Sequence, residues 1–268
     1  MNRETMLIEP AELLNKLGND NLRLFDATFT DAAYRQGHIP GAAYFDHGRF
    51  SDPDSPYECT VLPLDRLIEQ IGQSGISSDS EVVVYACGML PYAARAWWVL
   101  RYAGHESVRV LNGGLSAWQA AGGPVEQQIR VYAPAIFNGT PRPELFAGKD
   151  EVLAALEDKE QAVINVLPLE SYQAAHIAES TWLGCLELMQ GMESFLSSDQ
   201  IAARLRDTAR YKRLITYCGG GIAAALNAMA HAMVGQENVA VYDGSLDEWT
   251  AEGLPLTGAG DWQIWKRR

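Results

Sequence analysis

Two stretches of eleven residues decide how this chain is built: "VRVLNGGLSAW" at 108–118 and "VAVYDGSLDEW" at 239–249. Each passes from a β-rich run through a glycine turn into helix formers and ends on tryptophan, and the two lie 131 residues apart. Working outward, "VVVYA" (82–86) matches "LITYC" (214–218) at an offset of 132. Further upstream, "LFDA…YRQGHIPGA" (24–42) resembles "VINV…YQAAHIAES" (163–180) at offsets of 138 to 139. That period is far beyond a solenoid repeat, so the chain is a domain written twice, its copies separated by small insertions and deletions.

Within each copy, short β-rich runs alternate with helical patterns. The runs are "LRLFDA", "EVVVYA" and "VRVL", then "AVINV", "LITYC" and "VAVY"; the helical patterns include "PAELLNKL", "LDRLIEQI" and "YAARAWWVLRYAG". Such alternation predicts an α/β fold, here two tandem domains, each a mostly parallel sheet with helices on both faces. Residues 126–148 carry three prolines and two glycines and fit no helix period, which reads as a linker. The expected domains are then 1–125 and 149–268.

The chain has 268 residues, 47% of them hydrophobic and 21% charged, as expected of globular domains that bury their own cores. Its formal net charge of −13 argues against nucleic acid, whose binding rests on phosphate neutralisation, and the basic tail "WKRR" is too short to reverse that. The first residues hold no secretory h-region, and the longest apolar stretches fall short of the ~20 residues that span a bilayer. The expectation is a cytoplasmic protein without membrane partners. Four cysteines, Cys59, Cys87, Cys185 and Cys218, form no C-x-x-C pair, so each is read by itself.

Cys218 stands out. It ends a strand and is followed by Gly219, Gly220 and Gly221, with helix formers from Ile222 and Ala223 onward. In an open α/β sheet ligands sit outside the carboxyl ends of strands. Glycines adopt φ > 0 at little cost, so the amides of Gly219, Gly220, Gly221, Ile222 and Ala223 can converge on one anion, with the helix N-terminus behind them. Both effects favour thiolate over thiol. The G-K-[ST] ending of a nucleotide-phosphate loop is absent. A phosphatase loop would need an arginine six residues after the cysteine, where this chain has Ala224.

Taken together, the duplication, "YRQGHIPGA", "VLNGGLSAW", "VYDGSLDEW" and "YCGGGIAA" resemble the rhodanese family of two-domain sulfurtransferases, over about residues 7 to 256. The small loop is closer to mercaptopyruvate-type members than to thiosulfate-type members, which carry basic residues there. The resemblance implies a persulfide on Cys218, a catalytically silent N-terminal domain, and no cofactor. It implies a small sulfur donor of the 3-mercaptopyruvate or thiosulfate type and a thiol, thioredoxin-like or cyanide acceptor. Its catalytic domains usually carry D-A-R after the first strand and a second arginine in an insertion before G-H-I-P-G-A. Here Asn165 and Leu167 replace the first motif and the insertion is missing. Both donors are therefore expected to be used weakly, unless Arg95, Arg35, Lys212 or Arg213 substitutes. The competing class is a non-enzymatic module of the same fold that carries sulfur or binds a partner.

The remaining candidates read as structural. Ala86, not Cys87, aligns with Cys218, and the stretch from Tyr85 to the first helical alanine is two residues longer than its counterpart after Tyr217. His38 and His176 are expected to bond the backbone, Trp118 and Trp249 to anchor the core, and His231 to be a satisfied core histidine. Asp26 and Asn165 are expected to cap turns. No His/Cys/Asp cluster has metal-ligand spacing, so no metal is expected.

Overall fold

The structure, a computed structural model, describes residues 1–264; the basic tail lies outside the described residues. The first half runs α1 (Arg3–Met6), β1 (Leu7–Ile8), α2 (Pro10–Lys16), β2 (Leu22–Asp26), α3 (Asp31–Gln36), β3 (Ala43–Tyr44), α4 (Leu64–Gln73), β4 (Glu81–Tyr85), α5 (Leu90–Tyr102), β5 (Val108–Leu111) and α6 (Gly114–Ala120). The second runs β6 (Phe146–Ala147), α7 (Lys149–Glu157), β7 (Gln161–Asn165), α8 (Leu169–Ala174), β8 (His176–Ile177), β9 (Thr181–Trp182), β10 (Met189–Gln190), β11 (Ser194–Phe195), α9 (Ser198–Arg204), β12 (Arg213–Tyr217), α10 (Ile222–Met233), β13 (Val239–Tyr242), α11 (Ser245–Ala251) and β14 (Leu256–Thr257).

Each half builds a five-stranded parallel sheet, ordered β1-β5-β4-β2-β3 and β6-β13-β12-β7-β9. The orders are identical once the copies are superposed in sequence, as a duplication requires. Helices cover both faces, so the central strands read as unbroken apolar runs; Val82, Val83 and Val84 are fully buried. Trp118 and Trp249 are fully buried too, each donating its indole N–H to the carbonyl six residues on, Pro124 at 2.7 Å and Pro255 at 2.9 Å. His38 and His176 hold the carbonyls of Tyr34 and Tyr172 through Nδ1 at 2.7 Å. Asp26 and Asn165 each accept the amide two residues on, at 2.9 Å, which turns the chain out of the sheet.

Two features join the halves. Helices α5 and α10 pack side by side, and both carry buried alanines, among them Ala93, Ala96, Ala224 and Ala228. One apolar core runs through this contact from half to half. In addition, each half lays a hairpin tip on the other. Ser51 pairs antiparallel with Val61, as Met189 does with Phe195. The Val61 amide donates to Asp243 Oδ2 at 2.6 Å, and the Phe195 amide donates to Asn112 Oδ1 at 3.0 Å. The first tip is four residues longer, which accounts for much of the drift in repeat offset.

The stretch read as a linker is not a free tether. Tyr132 in its middle receives the Leu24 amide at 3.0 Å and donates to the Gly41 carbonyl at 2.8 Å, and Phe137 is buried against the first half. Its last residues, Phe146–Ala147, are the edge strand of the second sheet. Two residues of strand carry no periodicity, so nothing in the sequence marks them. Among the described residues no helix is long and apolar enough to cross a membrane.

Candidate active site

Cys218 follows β12 in the middle of the second sheet and is 3% exposed. Four residues, Cys218 to Gly221, separate the strand from α10. Only Gly221 among the three glycines has positive φ, +78°. The loop is therefore tighter than three freely turning glycines would make it. The hydroxyl of Ser245, at the start of α11, sits under the loop and accepts the amides of Cys218 and Gly221, both at 3.1 Å. Ser245 donates onward to the Tyr242 carbonyl at 2.7 Å. Gly221 thus spends its N–H on the scaffold and leaves the expected set of anion donors. The amides of Gly219, Gly220, Ile222 and Ala223 donate to no other group among the described residues. With the first turn of a twelve-residue helix behind them, these four amides lie unpaired next to Cys218.

These contacts assign different tolerances to the glycines. A Cβ at Gly221 would stand 2.8 Å from both the Asp243 carbonyl and Asp243 Oδ1, on a backbone that resists side chains. At Gly220 it would meet Asp247 Oδ2 at 3.0 Å and the Glu58 carbonyl at 3.4 Å, without positive φ. We expect Gly221→Ala to lower stability by about 1–3 kcal/mol and to cut activity sharply, with Gly220→Ala milder in both. Urea midpoints and initial rates for the pair check this; equal effects would contradict it.

Among the described residues Arg95 is the cation at the site, and it reaches there from the first half. It projects from α5, is 3% exposed, and pairs with Asp243 Oδ1 at 2.6 Å. Its Nη2 donates to the Cys59 carbonyl at 2.7 Å, and its Nη1 approaches the Gly221 carbonyl at 3.4 Å. The guanidinium is thus committed to holding loops rather than to a donor's anionic end. The other candidate cations lie elsewhere. Arg213 and Lys212 sit at the opposite end of β12, on Glu151 and Glu160, and exposed Arg35 pairs with Asp31. Leu167, at the family's arginine position, is buried. His231 is fully buried, bonded to the Asn227 carbonyl and Thr208 Oγ1, and burial lowers its pKa to about 4. It is a neutral core residue.

The matching position in the first half explains itself by contrast. Ala86 replaces Cys218, and four residues, Ala86 to Met89, again separate strand from helix. The two loops are equal in length; the two-residue difference counted to the first alanine arose because α5 opens Leu90-Pro91-Tyr92 before its alanines. The Gly88 amide donates to Glu193 Oε1 at 2.6 Å, a carboxylate brought by the hairpin tip of the second half. Cys87 is half-buried, and burial raises its pKa.

A cysteine closing the central strand of a parallel sheet, on a short glycine loop that opens a helix, in a fold built twice, defines a class of duplicated α/β proteins. The chain belongs to the rhodanese-like domain family, whose model matches residues 9–121 and 148–252. It is 31% identical to the thiosulfate sulfurtransferase of Cricetulus griseus over 88% of this chain and 87% of that protein. It is likewise 31% identical to the 3-mercaptopyruvate sulfurtransferase of Escherichia coli (strain K12), over 83% of this chain and 84% of that one. The crystal structure of a 3-mercaptopyruvate sulfotransferase from Escherichia coli superposes with a TM-score of 0.79 at 27% identity, covering 90% of this chain and 98% of that chain.

Proposed function

We propose that the protein is a sulfurtransferase working by double displacement through Cys218. The thiolate attacks the outer sulfur of a thiosulfate-type donor or the thiol sulfur of a 3-mercaptopyruvate-type donor, and the remainder of the donor, sulfite or the pyruvate enolate, leaves with the bonding electrons. The terminal sulfur of the resulting persulfide rests against the amides of Gly219, Gly220, Ile222 and Ala223, which lie ready before the charge arrives. A nucleophilic acceptor, such as a thiol, a reduced thioredoxin-like protein or cyanide, then removes the sulfur and restores the thiolate.

The observation that carries this reading is the contrast between the two loops. The second half pairs a cysteine with amides that have no partner among the described residues. The first half offers an alanine and an amide already holding the carboxylate of Glu193, and on this reading it is silent. Four unpaired cysteines suit a reducing compartment, and we place the protein in the cytoplasm.

With no free arginine at the site among the described residues, donor binding is expected to be poor. Hydrogen bonds to charged groups contribute ~1.5–3 kcal/mol each, so a missing pair lowers kcat/KM by about two to four powers of ten against a site that has them. Steady-state kinetics should show high KM for both donors, with 3-mercaptopyruvate the better of the two. Tight, fast use of either would show that another group supplies the clamp.

A further inference from the structure

We propose that Cys59 is a second sulfur-handling thiol, which takes the sulfane sulfur from the Cys218 persulfide and presents it to the acceptor from the more exposed hairpin tip; this step rests on the Cys218 reading above.

The argument starts from the exchanged hairpin tips. Val61 and Phe195 are equivalent, since each bonds the residue after the last central strand of the opposite half, Asp243 and Asn112. Counting back two residues makes Cys59 the counterpart of Glu193. The Glu193 side chain turns into the first half's loop, where Oε1 takes the Gly88 amide and lies 3.0 Å from where a Gly114 Cβ would stand. By the same register Cys59 is delivered to the Cys218 loop. Its neighbour confirms the approach, because the Glu58 carbonyl is 3.4 Å from the position of a Gly220 Cβ.

Cys59 is also held there. Its carbonyl takes Arg95 Nη2, whose other nitrogen reaches the Gly221 carbonyl, so one guanidinium spans both cysteine loops. Its backbone sits at φ +62°, an uncommon conformation for a residue with a side chain. Burial pushes the Cys59 thiol up to about 11, and the charge of Cys218 is close enough to add to that rise. Cys59 therefore stays protonated and leaves the donor to Cys218.

Exposure supplies the reason for a relay. Cys218 is 3% exposed, which suits a small donor but shields the persulfide from a protein acceptor, whereas Cys59 is half-buried. The step needs no oxidant or reductant. The Cys59 proton passes to the terminal sulfur as Cys59 Sγ bonds to it. The bond between that sulfur and Cys218 Sγ breaks, and its electron pair returns to Cys218 as thiolate at the amides. One persulfide is lost and one formed, with one negative charge on each side. Cys185 also feels the charge of Cys218, but it lies at 8% exposure in the 3-10 turn before β10 and offers no exit.

Trypsin places the four cysteines on separate peptides, with Cys59 in 50–66 and Cys218 in 214–266. The test loads the protein with one equivalent of 3-mercaptopyruvate, alkylates after increasing delays and maps the added ~32 Da. Sulfur is expected first on 214–266 and then on 50–66. In Cys59→Ser, and in Cys59→Gly, which also relieves the backbone, sulfur should stop on 214–266. Transfer to reduced thioredoxin should then fall at least about tenfold relative to transfer to cyanide. A loaded Cys218 with no sulfur ever on 50–66 and unchanged acceptor rates would overturn the relay alone. So would a Cys59–Cys218 disulfide with sulfide released, or sulfur on the Cys185 peptide. Failure of 214–266 to gain sulfur in Cys59→Ser would overturn the Cys218 reading itself.

Discussion

Cys218→Ser should lose sulfur transfer by at least about a thousandfold in kcat/KM with either donor while remaining folded. An alcohol stays protonated at neutral pH and forms no stable adduct with sulfane sulfur, so both half-reactions fail together. The structural cost is small, because serine is nearly isosteric and the amide of residue 218 keeps its bond to Ser245 Oγ. The denaturation midpoint is expected to move by no more than about 1 kcal/mol in stability. Cys87→Ser should behave like the parent protein, since Cys87 lies in the loop occupied by Glu193. A Cys218→Ser enzyme retaining more than a tenth of the parent rate would mean that sulfur is taken up elsewhere.

The second large effect concerns Arg95. Its guanidinium and the Asp243 carboxylate are 4% and 12% exposed, and between them they tie α5, the Cys59 tip and the Cys218 loop together. Removing one member of a buried pair leaves the other charge uncompensated, a loss of about 3–5 kcal/mol. Arg95→Met should therefore destabilise the fold by that amount and displace both loops. Adding Asp243→Asn should recover part of the loss, because the stranded charge disappears with it. Urea unfolding of the two single variants and the double variant gives the coupling directly. A loss below about 1 kcal/mol for Arg95→Met would show that the pair is better solvated than its burial implies.

The sequence exposed the duplication because glycine turns and buried tryptophans leave fixed marks at a fixed offset. Strands β2, β4, β5, β7, β12 and β13 were legible because a strand covered on both faces must be apolar throughout. The two-residue edge strands were not, as their pairing depends on a sheet already formed; β6 lay unseen inside a proline-rich stretch. At the site, the cysteine, the glycine loop and the missing arginines could all be read from residue types. Ser245 could not: a serine 24 to 27 residues from the loop residues it supports carries no local signal, yet it decides that Gly221 serves the scaffold. Arg95 was named as a possible donor clamp, and the structure gives it another task, because its partner Asp243 comes from the opposite half. The exchange of hairpin tips was hidden for the same reason. A small length difference between copies was visible, but its meaning lay in contacts between residues 83 and 182 positions apart.

The central claim is that sulfur enters this protein at Cys218. It is tested most directly by the mass of the protein loaded with one equivalent of 3-mercaptopyruvate, alkylated at once, digested with trypsin and compared with Cys218→Ser. The account predicts about 32 Da added to peptide 214–266 of the parent at the earliest time, and no sulfur on any cysteine peptide of the variant. Sulfur arriving on peptide 50–66, 67–95 or 160–204 of Cys218→Ser would contradict it.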